Sequence, residues 1–540
     1  MEAHYPKYLL YCILIVGTWL LSCLLHFQYF HLSLSSSSFA APRRAALFVL
    51  PAALDASFLP APAVVEADDR RRVVAASPSS PSSSSSPPPP PSCEGRYVYM
   101  INVPSRFDML RDCVPGSPLF DDMWSWCAIT VNAGLGPKIG PAAGSDDGAT
   151  DIIPSTGWYS TDQYALEVMF HSWMRRYECL TDDPSAATAV YVPYYPALEL
   201  HQHLCGFNAT VRDGPSESFL RWLSSQPTWA ALGGRDHFMV AAKTTWMFRR
   251  APGAGGGDDG GGGGCGNNFL GQPETGNMTV LTYESNIWAP RDIAVPYPSY
   301  FHPSSAGELS GWQARARAAA RPFLFAFAGA RRAEGQLAIR DRVFDACEAA
   351  SAARGTCGMV DCSHGLAGSI TCRTPARLVA LFAAARFCLQ PRGDSFMRRS
   401  SIDSVMAGCV PVFFHRASTL EAQYRWHEPE RTGSGGRRRR RYYVLLNADD
   451  VLEGRVDIEE ELSRYSEEEV AEMREEVIRM MPRFVYRDPR VRFEGEMRDA
   501  FDITMDEMMD RMRRIKNGEN VEWKGVDDGD DAAMAAANDS

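Results

Sequence analysis

From Pro322 onward, strand-like and helix-like runs alternate without a break. PFLFAFAG leads to the helical IRDRVFDACEAA, then CGMVDC, the helical PARLVALFAAA, RFCLQ, the helical SFMRRSSIDSVMAG and finally VPVFF. Strands this apolar are buried on both faces, and the helices between them are long enough for crossovers, so the pattern demands a parallel sheet. Upstream, RYVYMINV, ATAVYVPYY, FMVAAKTTW and MTVLTYES are further strand candidates. TDQYALEVMFHSWMRRY predicts a helix over Thr161–Tyr177, capped by Thr161 or Asp162, with Leu166, Met169, Phe170 and Trp173 at helical spacing. Two such halves, joined around VPYPSYFHP, predict an α/β protein of two Rossmann-like domains facing one cleft.

Segments outside this pattern divide the chain further. Residues 1–7 form a short tail before an uncharged apolar run, YLLYCILIVGTWLLSCLLHF, inside a predicted transmembrane signal anchor at 8–30. The Ser/Pro-rich stretch 31–92 predicts a semi-extended stalk. The folded part divides into an N-terminal domain at 93–305, a C-terminal domain at 306–490 and a helix at 491–524, with an acidic, disordered tail at 525–540. SEEEVAEMREEVIRMM opens on a capping box, Ser466 with Glu469. The net charge of −11 argues against nucleic acid as a partner.

Of fourteen cysteines, Cys12 and Cys23 fall inside the apolar run. The other twelve suit disulfides in an oxidising lumen, with Cys93–Cys113 and a bridge from Cys347 to a later cysteine as candidates. Cys357, Cys362, His364 and Cys372 also have the look of a zinc cluster, which an oxidising compartment disfavours. Asn208, Asn277 and Asn538 open glycosylation sequons.

The stretch PRGDSFMRRSSIDSVMAGCVPVFF sets Arg398, Arg399 and Asp403 between two buried strands. In open α/β sheets, ligands bind beyond the carboxyl ends of the strands. A turn at Gly393 and a helix capped by Asp394 or Ser395 offer an anion site there, with the arginines adding positive charge. Asp403 lies one turn beyond Arg399, suited to accept hydrogen bonds from sugar hydroxyls. The alternative is an exposed Arg399–Asp403 pair worth a few tenths of a kcal/mol.

FCLQPRGDSFMRRSSIDSVMAGCVPVFF resembles the donor-site signature of the exostosin-type glycosyltransferases, family 47, and most closely their plant xyloglucan galactosyltransferase branch. The resemblance continues through YVYMINVPSRFDMLRDC, TDQYALEVMFHSWMRRYECLTDDPSAATAVYVPYYPALEL, GGRDHFMVAAKTTWMFRR, DIAVPYPSYFHP and FLFAFAGARRA, over roughly Cys93 to Arg490. It implies a GT-B architecture, an inverting reaction, and a type II Golgi membrane protein with a lumenal catalytic domain. It implies a UDP-sugar donor and a xyloglucan or related polysaccharide acceptor, with other glycosyltransferases as potential partners. By position, Asp403 matches the acid expected to hold the donor ribose, and Arg398 and Arg399 match the basic pair before it. Arg332 is expected to reach the diphosphate. Arg392 departs from the pattern, standing where a proline is common.

Inversion needs a base, and Asp236 and His237 in GGRDHF are the candidates, the alternative being that they only order a turn. Glu284 and His302 are expected to bind acceptor sugar near the cleft. The clearest metal-binding DxD pattern, Asp528-Gly-Asp530, falls in the acidic tail. The expectation is therefore no metal and no cofactor, with arginines and a helix start stabilising the leaving diphosphate. Galactose transfer from UDP-galactose to xylosyl side chains of xyloglucan is the leading reading. Another UDP-sugar (galacturonate, arabinose), another glycan acceptor or a noncatalytic Golgi partner are the alternatives.

Overall fold

Eleven strands, all paired in parallel, form two sheets in the computed structural model, which describes residues 93–113, 126–139, 152–249, 265–286, 289, 291–332, 338–363, 368, 371–428 and 441–522. The anchor, stalk, arginine run 437–440, acidic tail, His364 and Asn538 lie outside these residues. Among the described residues no helix is long and apolar enough to cross a membrane.

The first sheet contains β1 Val98–Met100, β2 Leu180–Thr181, β3 Ala189–Tyr191, β4 His237–Val240, β5 Thr279–Thr282 and β6 Ile293–Ala294, in the order β2-β1-β3-β4-β5-β6. The second contains β7 Phe323–Gly329, β8 Cys357–Asp361, β9 Ala385–Gln390, β10 Val410–Phe413 and β11 Val444–Leu445, in the order β11-β10-β9-β7-β8. Among the described residues the helices of eight residues or more are α1 Leu166–Met174, α2 Ala209–Ser224, α3 Ala306–Ala318, α4 Ile339–Arg354, α5 Pro375–Ala383, α6 Arg399–Met406, α7 Glu467–Phe484 and α8 Ala500–Lys516. Phe325, Phe327, Phe387, Val410 and Val412 are fully buried, as strands covered by helices on both faces must be.

Chain order in the second sheet reverses at β7: β8 pairs on one side and β9 on the other. The carboxyl ends of β7 and β9 therefore flank a crevice of the kind in which α/β sheets bind ligands.

The carboxyl-terminal helices fasten the two sheets together. α7 keeps its capping box: the Ser466 hydroxyl accepts from Glu469 N–H while the Glu469 carboxylate accepts from Ser466 N–H. The chain then returns to the first sheet, where Tyr486 stacks on Trp173 with ring centroids 5.3 Å apart and Phe501 meets Phe170 edge-on at 5.0 Å. The α8 residue Lys516 donates to Ala187 O at 2.7 Å. The helix after 491 thus packs on the first sheet. On the other side, Trp312 of α3 donates its indole N–H to Met406 O at 2.6 Å and packs edge-on against Trp158 at 4.7 Å.

All twelve cysteines beyond the apolar run are paired: 93–179, 113–127, 205–265, 347–357, 362–372 and 388–409. The expected Cys93–Cys113 bridge is corrected, because β1 and β2 pair side by side and bring Cys93 to Cys179, just ahead of β2. Cys347 does bond a later cysteine, Cys357. The zinc reading fails on the same grounds: Cys357, Cys362 and Cys372 are all spent in disulfides and offer no thiolate. Among the described residues no group of three or more His, Cys, Asp or Glu is placed to hold a metal ion.

Candidate active site

At the crevice beside β7 and β9 lies a cavity of about 710 Å³, walled on one side by residues of the first half and on the other by residues of the second. The second-half wall carries Arg340, Arg373, Ser395, Arg398, Arg399 and Asp403; the first-half wall carries Ser160 to Tyr164, Thr244, Tyr297 and Tyr300. Four guanidinium groups in one cleft focus positive potential on whatever enters it.

Arg398 reaches across the crevice. Its Nη1 donates to Pro391 O at 3.4 Å, after β9, and its Nη2 to Ala328 O at 3.3 Å, in β7. Burial and then the neighbouring Arg340 charge bring its pKa down to about 9. Arg340 projects from the first turn of α4, donates Nε–H to Arg392 O at 3.1 Å, and is likewise lowered by burial, with Asp394 opposing. Gly393 makes this packing possible through close approach, since a Cβ there would lie 3.0 Å from Arg340 Nη2.

Arg399 and Asp403 are not a surface pair. Their side chains are 12% and 5% exposed, and Arg399 Nε stands 3.7 Å from Asp403 Oδ2, too far for a hydrogen bond. Arg399 stacks over Tyr300 at 3.6 Å and donates Nη1–H to Thr161 O at 2.5 Å, reaching from the second half to the first. Arg399 Nε and Nη2 and Asp403 Oδ1 are buried with no hydrogen-bond partner among the described residues. Burial pushes the Asp403 carboxyl up to about 6, with Arg399 opposing. Unsatisfied buried charge is expensive, so these atoms fit a site that a polar ligand completes.

The helix carrying these residues starts later than expected. α6 begins at Arg399 with no side-chain cap, and Ser395 Oγ donates to Met397 O instead. The cause is Glu284, just past the carboxyl end of β5, whose Oε2 accepts the Met397 N–H at 2.7 Å and so takes that donor out of the helix. Glu284 is buried and is absent from the cavity wall; it holds the 391–398 loop from beneath rather than facing a sugar. Burial raises its pKa from 4.5 to about 7 despite the Met397 N–H. An acid held more tightly protonated in the folded state contributes stability that is complete below pH 4.5 and disappears as pH rises through about 7. Glu284→Gln is accordingly expected to raise the Tm by about 2–4 °C or more at pH 8 and leave it nearly unchanged at about pH 4, below the unfolded pKa. Equal shifts at both pH values in scanning fluorimetry would contradict this.

Three other expectations are corrected. Asp236 and His237 bond each other at 2.9 Å, but β4 starts at His237, so they lie at the amino end of the strand, away from the ligand edge. His237 is fully buried edge-on against Trp229. His302 is fully buried, with Nδ1 2.8 Å from Tyr486 O and Nε2 2.9 Å from Thr161 Oγ1, and burial lowers its pKa to about 4. It braces the cleft from behind. Arg332 is exposed, its backbone N–H bonded to Asp341, and Arg340 lines the cavity in its stead. Asn208, the cap of α2, and Asn277 are both exposed, as glycan attachment requires.

Arg340 and Arg373 escaped the sequence reading, and Asp162 entered it only as a candidate helix cap. α1 starts at Leu166, five residues inside the predicted helix, and four of the residues released, Thr161 to Tyr164, form cavity wall. The signal was present: the apolar stripe itself begins only at Leu166.

Comparison with known proteins places this geometry in a family. Xyloglucan galactosyltransferase MUR3 of Arabidopsis thaliana is 38% identical over 78% of this chain, which spans 63% of that relative's length. The probable xyloglucan galactosyltransferase GT14 of the same plant is 39% identical over 78% of this chain and 75% of its own. Its xyloglucan-specific galacturonosyltransferase 1 is 33% identical over 78% of this chain and 58% of its own. A glycosyltransferase structure from Rickettsia africae overlaps 78% of this chain and 99% of its own at 6% identity, with a TM-score of 0.31, a likeness that says nothing of chemistry. The family model described as the Exostosin GT47 domain matches residues 92–462, and the chain belongs to that family.

Proposed function

We propose that the protein is an inverting, GT-B type galactosyltransferase that moves galactose from UDP-galactose to xylosyl side chains of xyloglucan. The observation that carries this reading is the cavity between the two sheets, with four arginines and Asp403 on its second-half wall. Arg398, Arg399, Arg340 and Arg373 hold the diphosphate and stabilise the charge that grows on it as the glycosidic bond breaks. Asp403 accepts hydrogen bonds from the ribose. The Tyr164, Tyr297 and Tyr300 rings offer flat apolar surface beside this charged group, and the acceptor enters from the first-half wall. The names of the plant relatives support the acceptor and the hexose.

No metal takes part in this reading, because guanidinium groups occupy the place where a cation would neutralise the diphosphate. The six disulfides support an oxidising lumen, and the apolar run Tyr8–Phe27 supports a single-span anchor in the Golgi membrane, with the catalytic domain lumenal. A second donor, UDP-galacturonate, is favoured by the galacturonosyltransferase relative and by the arginine-rich wall, which suits an additional carboxylate.

The test is UDP release from a panel of UDP-sugars, with and without xyloglucan oligosaccharides. Rapid turnover of UDP-galactose only with acceptor present is expected, undiminished by EDTA. Preference for UDP-galacturonate would select the second donor. Turnover of no donor would overturn catalysis, and loss in EDTA restored by manganese would overturn metal independence.

A further inference from the structure

We infer that Asp162 is the general base that takes the proton from the acceptor hydroxyl, an inference that rests on the transferase reading above. With inversion, the nucleophile approaches the anomeric carbon from the face opposite the leaving group. The arginines that receive the diphosphate all stand on the second-half wall, so the base belongs on the wall across from them. Among the described residues of that first-half wall, Asp162 is the one carboxylate, and no imidazole accompanies it. Asp394 and Asp403 line the cavity too, but on the arginine side, where a base would attack from the wrong face.

The position of Asp162 is fixed on both sides. Its Oδ1 accepts the Tyr164 N–H at 2.8 Å, which orients the carboxylate and leaves Oδ2 without a partner among the described residues. The carbonyl of the preceding residue, Thr161, accepts from Arg399 Nη1 across the cleft, tying the base to the wall that holds the leaving group. Thr161 Oγ1 in turn donates to Leu135 O at 2.7 Å. Ionisable groups surround it: Lys243, His201, Tyr164 and Tyr300 all sense its charge, and Arg373 acts on the last three. Lys243 is fully buried with its Nζ over the Tyr164 ring at 3.6 Å, and burial lowers its pKa to about 8.

In the step itself, the acceptor oxygen forms the bond to the anomeric carbon while the bond to the diphosphate oxygen breaks. That electron pair leaves with UDP, and the hydroxyl proton passes to Asp162 Oδ2 and later to water.

Asp162→Asn separates this role from a structural one, since the amide oxygen still accepts the Tyr164 N–H but does not take a proton at neutral pH. Asp162→Ser is a second variant, with a hydroxyl that can serve the same turn. Expected in either folded variant is a kcat lower by about 10²- to 10⁴-fold with UDP affinity near that of the parent, and partial recovery in Asp162→Glu. A kcat within about threefold of the parent overturns the inference. So does a loss of kcat accompanied by equal loss of UDP affinity and no recovery with glutamate. A parent that binds UDP but transfers to no acceptor overturns the transferase reading, and this one with it.

Discussion

Replacing Arg398 with alanine is expected to weaken UDP binding by about 10- to 100-fold, the effect of losing charge-assisted hydrogen bonds to a phosphate. The expectation follows from its place between Ala328 O of β7 and Pro391 O after β9, where no other described side chain makes both contacts. Among the described residues two weak carbonyl bonds and a long contact over the Phe327 ring at 5.9 Å hold it, so alanine removes a ligand contact at little structural cost, and the Tm should fall only slightly. Lysine should recover a part, since it restores charge but not the planar fork. The parent carries a further signature. Burial and Arg340 set the Arg398 pKa near 9, so UDP affinity should drop as pH rises through that value. Calorimetric titration checks both, and unchanged affinity in Arg398→Ala would remove the diphosphate from this crevice.

The second large effect concerns Asp403. A buried carboxylate oxygen with no partner among the described residues, on a side chain that lines a cavity, is costly unless a ligand donor meets it. If that donor is a ribose hydroxyl, the parent prefers UDP to 2′,3′-dideoxy-UDP by about 10- to 100-fold, and Asp403→Ala brings the ratio near one. A ratio that survives the substitution contradicts the assignment. The comparison of two ligands on one variant matters, because Asp403→Ala also leaves the Arg399 charge uncompensated. Removing one member of a buried pair costs about 3–5 kcal/mol of stability on its own. Adding Arg399→Ala to it should recover part of that stability while weakening UDP binding further.

Much of this architecture was legible because burial on both faces writes itself into a parallel strand: FLFAFAG and FCLQ are apolar almost throughout, and both are strands. The two-residue strands β2, β6 and β11 carry too few residues for any such signature. Of the site, Arg398, Arg399 and Asp403 were legible because one contiguous stretch carries the end of a strand, the loop and the helix start. Arg340 and Arg373 come from other segments, brought alongside only when the strands align their carboxyl ends. Asp236 and His237 misled for the same reason: a plausible acid–base pair in sequence sits at the wrong end of its strand. Glu284 and His302 are polar residues near the cleft whose bonding is directed inward, and only packing distinguishes that from facing a ligand.

The most direct test of the central claim is a structure of the protein with UDP bound. The account predicts the diphosphate within hydrogen-bond distance of Arg398 and Arg399, and the ribose hydroxyls on Asp403 Oδ1. UDP bound elsewhere, with those three side chains unengaged, would contradict it.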